Sequence, residues 1–135
     1  MLNYHLVEIA MNFEFNIHIK PGKDCGEIPA DPEEIIEPGA TLRFTLTYPL
    51  TNHYTREETH ANGKGWTRKQ FINAVRRAYL FVYREEGAHP GYVPGMMNRA
   101  KSNGPYGICC HDRGDLFLEG AYSNKDGSWG LNVGS

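Results

Sequence analysis

Residues 65–87 read GWTRKQFINAVRRAYLFVYREEG, the one long stretch of this chain with a helical period. At about 100° per residue, Phe71, Val75, Ala78, Tyr79 and Val82 form an apolar stripe, with Ile72 and Tyr83 on its flank. Lys69, Asn73, Arg76, Arg77 and Arg84 gather on the opposite side. Thr67 with Gln70 makes a capping-box pair, Trp66 stands before the cap as a staple, and Gly87 supplies a stop. The pattern predicts one helix over about residues 67–86, packed across a sheet.

The sheet is written on either side of it. MNFEFNIHI (11–19) alternates strictly, with Met11, Phe13, Phe15, Ile17 and Ile19 on one face and Asn12, Glu14, Asn16 and His18 on the other. ATLRFTLTYPL (40–50) alternates again, with Leu42, Phe44 and Leu46 inward, and HYTREETH (53–60) reads as its polar partner after a turn at Pro49–Asn52. DLFLEGAYS (115–123) and SWGLNVGS (128–135) flank an Asp126-Gly127 turn, a strong hairpin signal.

Two stretches break the pattern. Residues 20–40 hold four prolines and six acids and read as an acidic loop, a linker or a docking element. Residues 87–105 are Gly- and Pro-rich, with at most a short turn at 96–100. The expected fold is a single α+β domain: an antiparallel sheet of four or five strands, one long helix on one face, and two long irregular loops. Residues 1–10 are read as an N-terminal extension.

At 135 residues the chain is long enough to bury a core without staples. Its net charge of −2 excludes a globally basic nucleic-acid binder, though not a local basic face. No run of about eighteen apolar residues is present, so no membrane helix is expected. The start MLNYHLVEIAMNF lacks the basic opening and apolar run of a secretory signal. Three cysteines, Cys25, Cys109 and Cys110, make a poor disulfide framework, and adjacent cysteines bridge only through a strained ring. A reducing, intracellular setting with free thiols is the simpler expectation.

The densest chemistry lies in NGPYGICCHDRGDLFLEG (103–120). Asn103-Gly104-Pro105-Tyr106-Gly107 is first a turn, and His111 and Asp112 are expected to hydrogen-bond loop backbone and hold it rigid. Cys109, Cys110 and His111 are consecutive and diverge, so they do not make a tetrahedral zinc site. Cys110 beside His111 suggests a thiol nucleophile on paper, yet sequence neighbours rarely face each other productively. Phosphohydrolase-like metal ligands would have to come from several helices, and this chain has one. Asp115 and Glu119 would share a face on a strand and could do acid–base work, but one carboxylate at a buried edge and one solvated is the plainer reading. No cofactor is expected, and the sequence identifies no small-molecule substrate.

This run, with GWTRKQFINAVRRAYLFVYREE and PGMMNR, resembles an uncharacterised family of small proteins from large DNA viruses of amoebae, with a virion-associated member, and from some eukaryotes. The resemblance covers roughly residues 40–120. Its matching positions are Gly65, Thr67, Tyr79, Pro94, Gly95, Asn98, Arg99, Asn103, Gly104, Tyr106, Gly107, His111, Asp112, Asp115, Leu118 and Glu119. The family pattern carries Trp-Gly where this chain has Cys109-Cys110. The resemblance implies a dimer-forming virion protein, in host cytoplasm or particle, and brings no reaction with it.

One feature of the helix runs against its dipole. Arg68 and Lys69 occupy the positive first turn, and Glu85 and Glu86 the negative last turn, each costing a few tenths of a kcal/mol if exposed. Either the chain tolerates this, or each end meets an opposite charge. At the start, Lys64, Arg68 and Lys69 surround a Gly-flanked helix N-terminus whose amides attract anions. Phosphate, a nucleic-acid backbone or the acidic 24–37 loop of another subunit would each fit there. Two function classes follow. One is a non-enzymatic interaction protein, homodimeric, using a helix face or sheet edge. The other is an anion- or nucleic-acid-binding module using Lys64, Arg68, Lys69, Arg76, Arg77 and Arg84.

Overall fold

The computed structural model describes residues 11–21, 29–61, 63–92 and 101–135. Expectations for residues 1–10, for Cys25 and the first part of the acidic loop, and for the 96–100 turn lie outside them. The fold is α+β. Strands β1 (Asn12–His18), β2 (Ile35–Glu37), β3 (Thr41–Leu46), β4 (Tyr54–Thr59) and β5 (Trp66–Thr67) precede helix α1 (Arg68–Gly87). A 3-10 turn (Arg113–Asp115), β6 (Phe117–Ser123) and β7 (Trp129–Gly134) follow it. Five strands form one sheet in the order β1-β6-β7-β3-β4, and β2 pairs with β5 apart from it.

One pairing departs from the antiparallel expectation: β3 and β7 run parallel, joined at Phe44 and Trp129. The sheet is two antiparallel blocks, β1-β6-β7 and the β3-β4 hairpin, set side by side. Once β4 occupies one edge of β3, only the other remains for β7, whose direction the β6–β7 hairpin has already set.

Helix α1 covers one face of this sheet. The predicted stripe is buried, and Phe71 is its hub, with ring centroids 5.5 Å from Phe15, 6.3 Å from Phe44 and 5.2 Å from Trp129. Burying each such ring stabilises the fold by about 1.5–3 kcal/mol. On the far face of β3 and β4 the alternate residues are polar, and the Thr41–Thr59 and Thr45–Thr55 hydroxyls pair across the two strands at 2.9 Å each.

The capping box is present: Thr67 Oγ1 accepts from the Gln70 amide at 3.1 Å, and Gln70 returns an acceptor to the Thr67 amide at 2.9 Å. Gly87 does not end the helix as expected; it is the last helical residue, and Ala88 caps it in a right-handed conformation. The 20–40 loop is not wholly irregular either. Its residues 35–37 form β2, closing on β5 so tightly that a Cβ at Gly65 would strike the Glu37 carbonyl.

Candidate functional site

The C-terminal end of α1 carries the feature that organises the rest. Glu86 is 0% exposed, and its carboxylate accepts hydrogen bonds from Ser102 Oγ and from the amides of Gly104 (2.9 Å), Tyr106 (3.0 Å) and Gly107 (3.2 Å). Burial alone would push this carboxyl's pKa up. The hydrogen bonds from Ser102, Tyr106, Gly104 and Gly107 outweigh it and hold the group below its ordinary range. The Asn103–Gly107 turn is therefore a nest of donors folded around an anion supplied by the protein itself.

The same turn is held from its other side. Its carbonyls receive the Thr51 and Asn52 amides, the latter at 3.0 Å from Tyr106 O, while Asn52 Nδ2 reaches Pro105 O at 2.9 Å and Thr51 Oγ1 reaches Gly107 O at 2.9 Å. Ser102 Oγ also accepts from the Ile108 amide at 2.8 Å. The amides of Gly104, Tyr106 and Gly107 go to Glu86 and the carbonyls of Pro105, Tyr106 and Gly107 to residues 51–52, so the inner backbone of the turn is paired with no regular ladder. Gly104 has to be glycine, because a Cβ there would overlap the Glu86 carboxylate. Gly107 sits at φ 60°, where a side chain is strained and would also press on Thr51.

At the N-terminal end the charge inversion is matched as well, and within one chain. The Arg68 and Lys69 amides donate to the carbonyls of Glu34 (2.7 Å) and Pro32 (3.0 Å). The Arg68 guanidinium, whose side chain is 11% exposed, meets Glu34 Oε1 at 2.5 Å and Glu14 O at 3.1 Å. It also lies over the rings of Phe13 and Phe15 at 5.3 and 5.6 Å. The acidic segment of this chain, rather than that of another subunit, takes the helix start, and the amides expected to attract an anion are already in use.

The six basic residues read as an anion site are dispersed. Arg76 donates through Nε and a terminal nitrogen to His18 O at 3.1 and 2.8 Å. Arg77 pairs with Glu58 at 2.6 Å, and Glu58 also accepts from Arg56 at 2.8 Å. Lys64 and Lys69 are exposed near the helix start, and Arg84 is exposed near its end. Of the set, Arg77 and Arg84 line a common groove.

The remaining motif residues divide between two depressions. One, of about 520 Å³, is lined by Thr47–Leu50, Cys109, Cys110 and His111. Cys109 and Cys110 are joined in a disulfide, a correction to the expected free thiols, with Cys110 at φ 78°. The His111 carbonyl accepts from Tyr83 Oη at 2.9 Å, and its Nε2 lies 3.1 Å from Ser135 Oγ, which lies 2.8 Å from Tyr48 Oη. Asp112 faces a second depression. Asp112 and Asp115 pin this turn together as a capping box: Asp115 Oδ2 accepts from the Asp112 amide at 3.1 Å, the Asp112 side chain faces the Asp115 backbone in return, and Asp115 stands 3.8 Å from His111 Nδ1. Asp115 and Glu119 do not form a pair, because Glu119 lies on the open sheet face beside Asn12 and Asn132. Asn103 is exposed, its side chain against Gly91. Among the described residues, no group of three or more His, Cys, Asp and Glu is placed to hold a metal ion, and no helix is long and apolar enough to cross a membrane.

Sequence reading missed an aromatic patch. Phe81, 38% exposed on the outer side of α1, stacks on Tyr54 at 5.6 Å, and Tyr54 meets Tyr106 edge-on at 5.7 Å. Arg56 lies over the Phe81 ring at 5.8 Å. Beside it runs a groove of about 370 Å³ formed by Arg77, Leu80, Phe81, Arg84, Glu85 and Ala88. The signal available was Leu80-Phe81 itself, two large apolar residues off the buried stripe.

Set against known proteins, the chain matches no family model, no curated protein and no solved structure.

Proposed function

We propose that this protein is a non-enzymatic interaction module that works as a homodimer, with the Phe81 patch as its contact. The observation that carries the reading is Phe81 itself, exposed and backed by Tyr54 and Tyr106 where a solvated helix face would be polar. Aromatic anchors beside arginines are the composition of interface hot spots. A second copy of the chain is the partner favoured by charge. A two-fold contact brings one patch against its own reverse, so it needs both signs on its rim, and Arg84 and Glu85 supply them. The sheet edges argue against strand exchange: β4 carries Arg56, Glu57 and Glu58 in a row, and β1 is interrupted at Asn16, which sits at φ 52°.

Light scattering tests this. The wild type is expected at twice the chain mass at about 100 μM, a concentration that detects micromolar association. Phe81→Glu is expected at a single chain mass. Arg84→Glu should weaken the dimer, and adding Glu85→Arg should restore it. A wild-type mass of one chain would overturn the reading. The resemblance supplies the setting, a packaged virion component, and mass spectrometry of purified particles checks it.

A further inference from the structure

A polar cleft of about 610 Å³ opens between the end of β1, the last turns of α1 and the 3-10 turn. Three cations from these three separate elements line it: Lys20, Arg84 and Arg113. None of the three makes an ion pair with the described carboxylates. Asp112 and Asp115 share the wall, yet Asp115 is engaged by the Asp112 amide and turned toward His111. Burial and the neighbouring Arg84 hold the Arg113 guanidinium below its usual value, with Tyr83 pulling the other way; no carboxylate takes part. Two guanidiniums brought together by separate elements, with Lys20 beside them, outnumber the two aspartates of the wall and leave one net positive charge in a concave site. The tyrosines Tyr83 and Tyr92 form an aromatic wall beside them.

We propose that this cleft receives a phosphate group, with Arg84 and Arg113 as its two guanidinium donors and Lys20 at its edge. Guanidinium forks match the geometry of phosphate oxygens. The site differs from the six-residue basic face read in the sequence: it keeps only Arg84, and adds Lys20 and Arg113. It shares Arg84 with the Phe81 groove, whereas Arg113 and Lys20 do not line that groove, so Arg113→Gln tests the cleft apart from the dimer contact.

Calorimetric titration of the full chain with inorganic phosphate and with phenyl phosphate is the test. Saturable binding is expected, weakened roughly tenfold or more in Arg113→Gln and in Arg84→Gln, where tenfold corresponds to 1.4 kcal/mol. Arg43→Gln, whose arginine pairs with Asp126 elsewhere, should bind as the wild type does. Tighter binding of phenyl phosphate would name an organic ester as the ligand, and equal binding the free ion; either supports the site. In phosphate-free buffer, Arg113→Gln should melt no lower than the wild type, because it relieves a like-charge contact. A lower melting temperature there would mark Arg113 as structural and overturn the proposal. Unchanged phosphate affinity in Arg113→Gln, or no saturable heat with either probe, would overturn it too, as would binding of a DNA oligonucleotide where neither probe binds.

Discussion

Glu86 and Ser102 are the buried polar side chains among the described residues, and they touch each other. A buried carboxylate is tolerated only where donors replace its lost water, and four donors do so here. Glu86→Gln keeps the shape but turns one acceptor into a donor facing amide donors. We expect it to cost about 3 kcal/mol in chemical denaturation, the scale of breaking a buried charge's contacts. Gly104→Ala should cost about 1–3 kcal/mol through the overlap of its Cβ with the carboxylate. The pH dependence has a definite sign. The folded-state pKa of Glu86 lies below the ordinary carboxyl range, so its contribution is full above that range and is lost as pH falls through the folded value. Stability of wild type and Glu86→Gln should therefore converge as denaturation is measured at successively more acid pH. The sequence made the Asn103–Gly107 turn and its glycines readable, because turn chemistry is local. It did not reveal the anion at the centre, because Glu86 lies some twenty residues upstream and looks like any solvated acid at a helix end.

Helix α1 shows the same limit one level up. Its period, its capping box and its buried face were legible, since each depends on neighbours within a turn or two. So were the strands of the main sheet: β1 and β3 as alternating segments, β4 as a polar partner, and β6 and β7 as the arms of a hairpin about Asp126-Gly127. The parallel join of β3 to β7 and the β2–β5 pair were not, since no local signal records which distant strands meet. The reversed charges of α1 were legible as an anomaly, and their resolution was not. Arg68 is the clearest case: it ties α1 to β1 through Glu14 O and the Phe13 and Phe15 rings, and to the acidic segment through Glu34. Arg68→Ala should lower stability by about 2–3 kcal/mol, and Arg68→Lys should recover only part of it, because an ammonium cannot make the planar contacts together. Thermal and chemical unfolding of the two variants checks this.

Across the whole molecule, charge that looked available for partners is largely spent on internal joints. The acidic 31–37 segment clamps the start of α1, and Glu58 is shared by Arg56 and Arg77. Burial would raise the Glu58 pKa, but its hydrogen bonds from Arg77 and Arg56 win and lower it, adding a second acid-labile joint. The Phe81 patch and the Lys20–Arg84–Arg113 cleft face outward and meet at Arg84, near the helix end that Glu86 anchors. The placement of Tyr106 in the patch depends on the same turn, so Glu86→Gln should also weaken self-association in light scattering. The most direct test is amide hydrogen exchange, resolved by residue, in wild type and Glu86→Gln. The Gly104, Tyr106 and Gly107 amides are expected to lose protection by roughly tenfold or more beyond any global loss, while β3, β6 and β7 keep theirs relative to global stability. Equal protection of those three amides in the two proteins would contradict a loop folded around the Glu86 carboxylate.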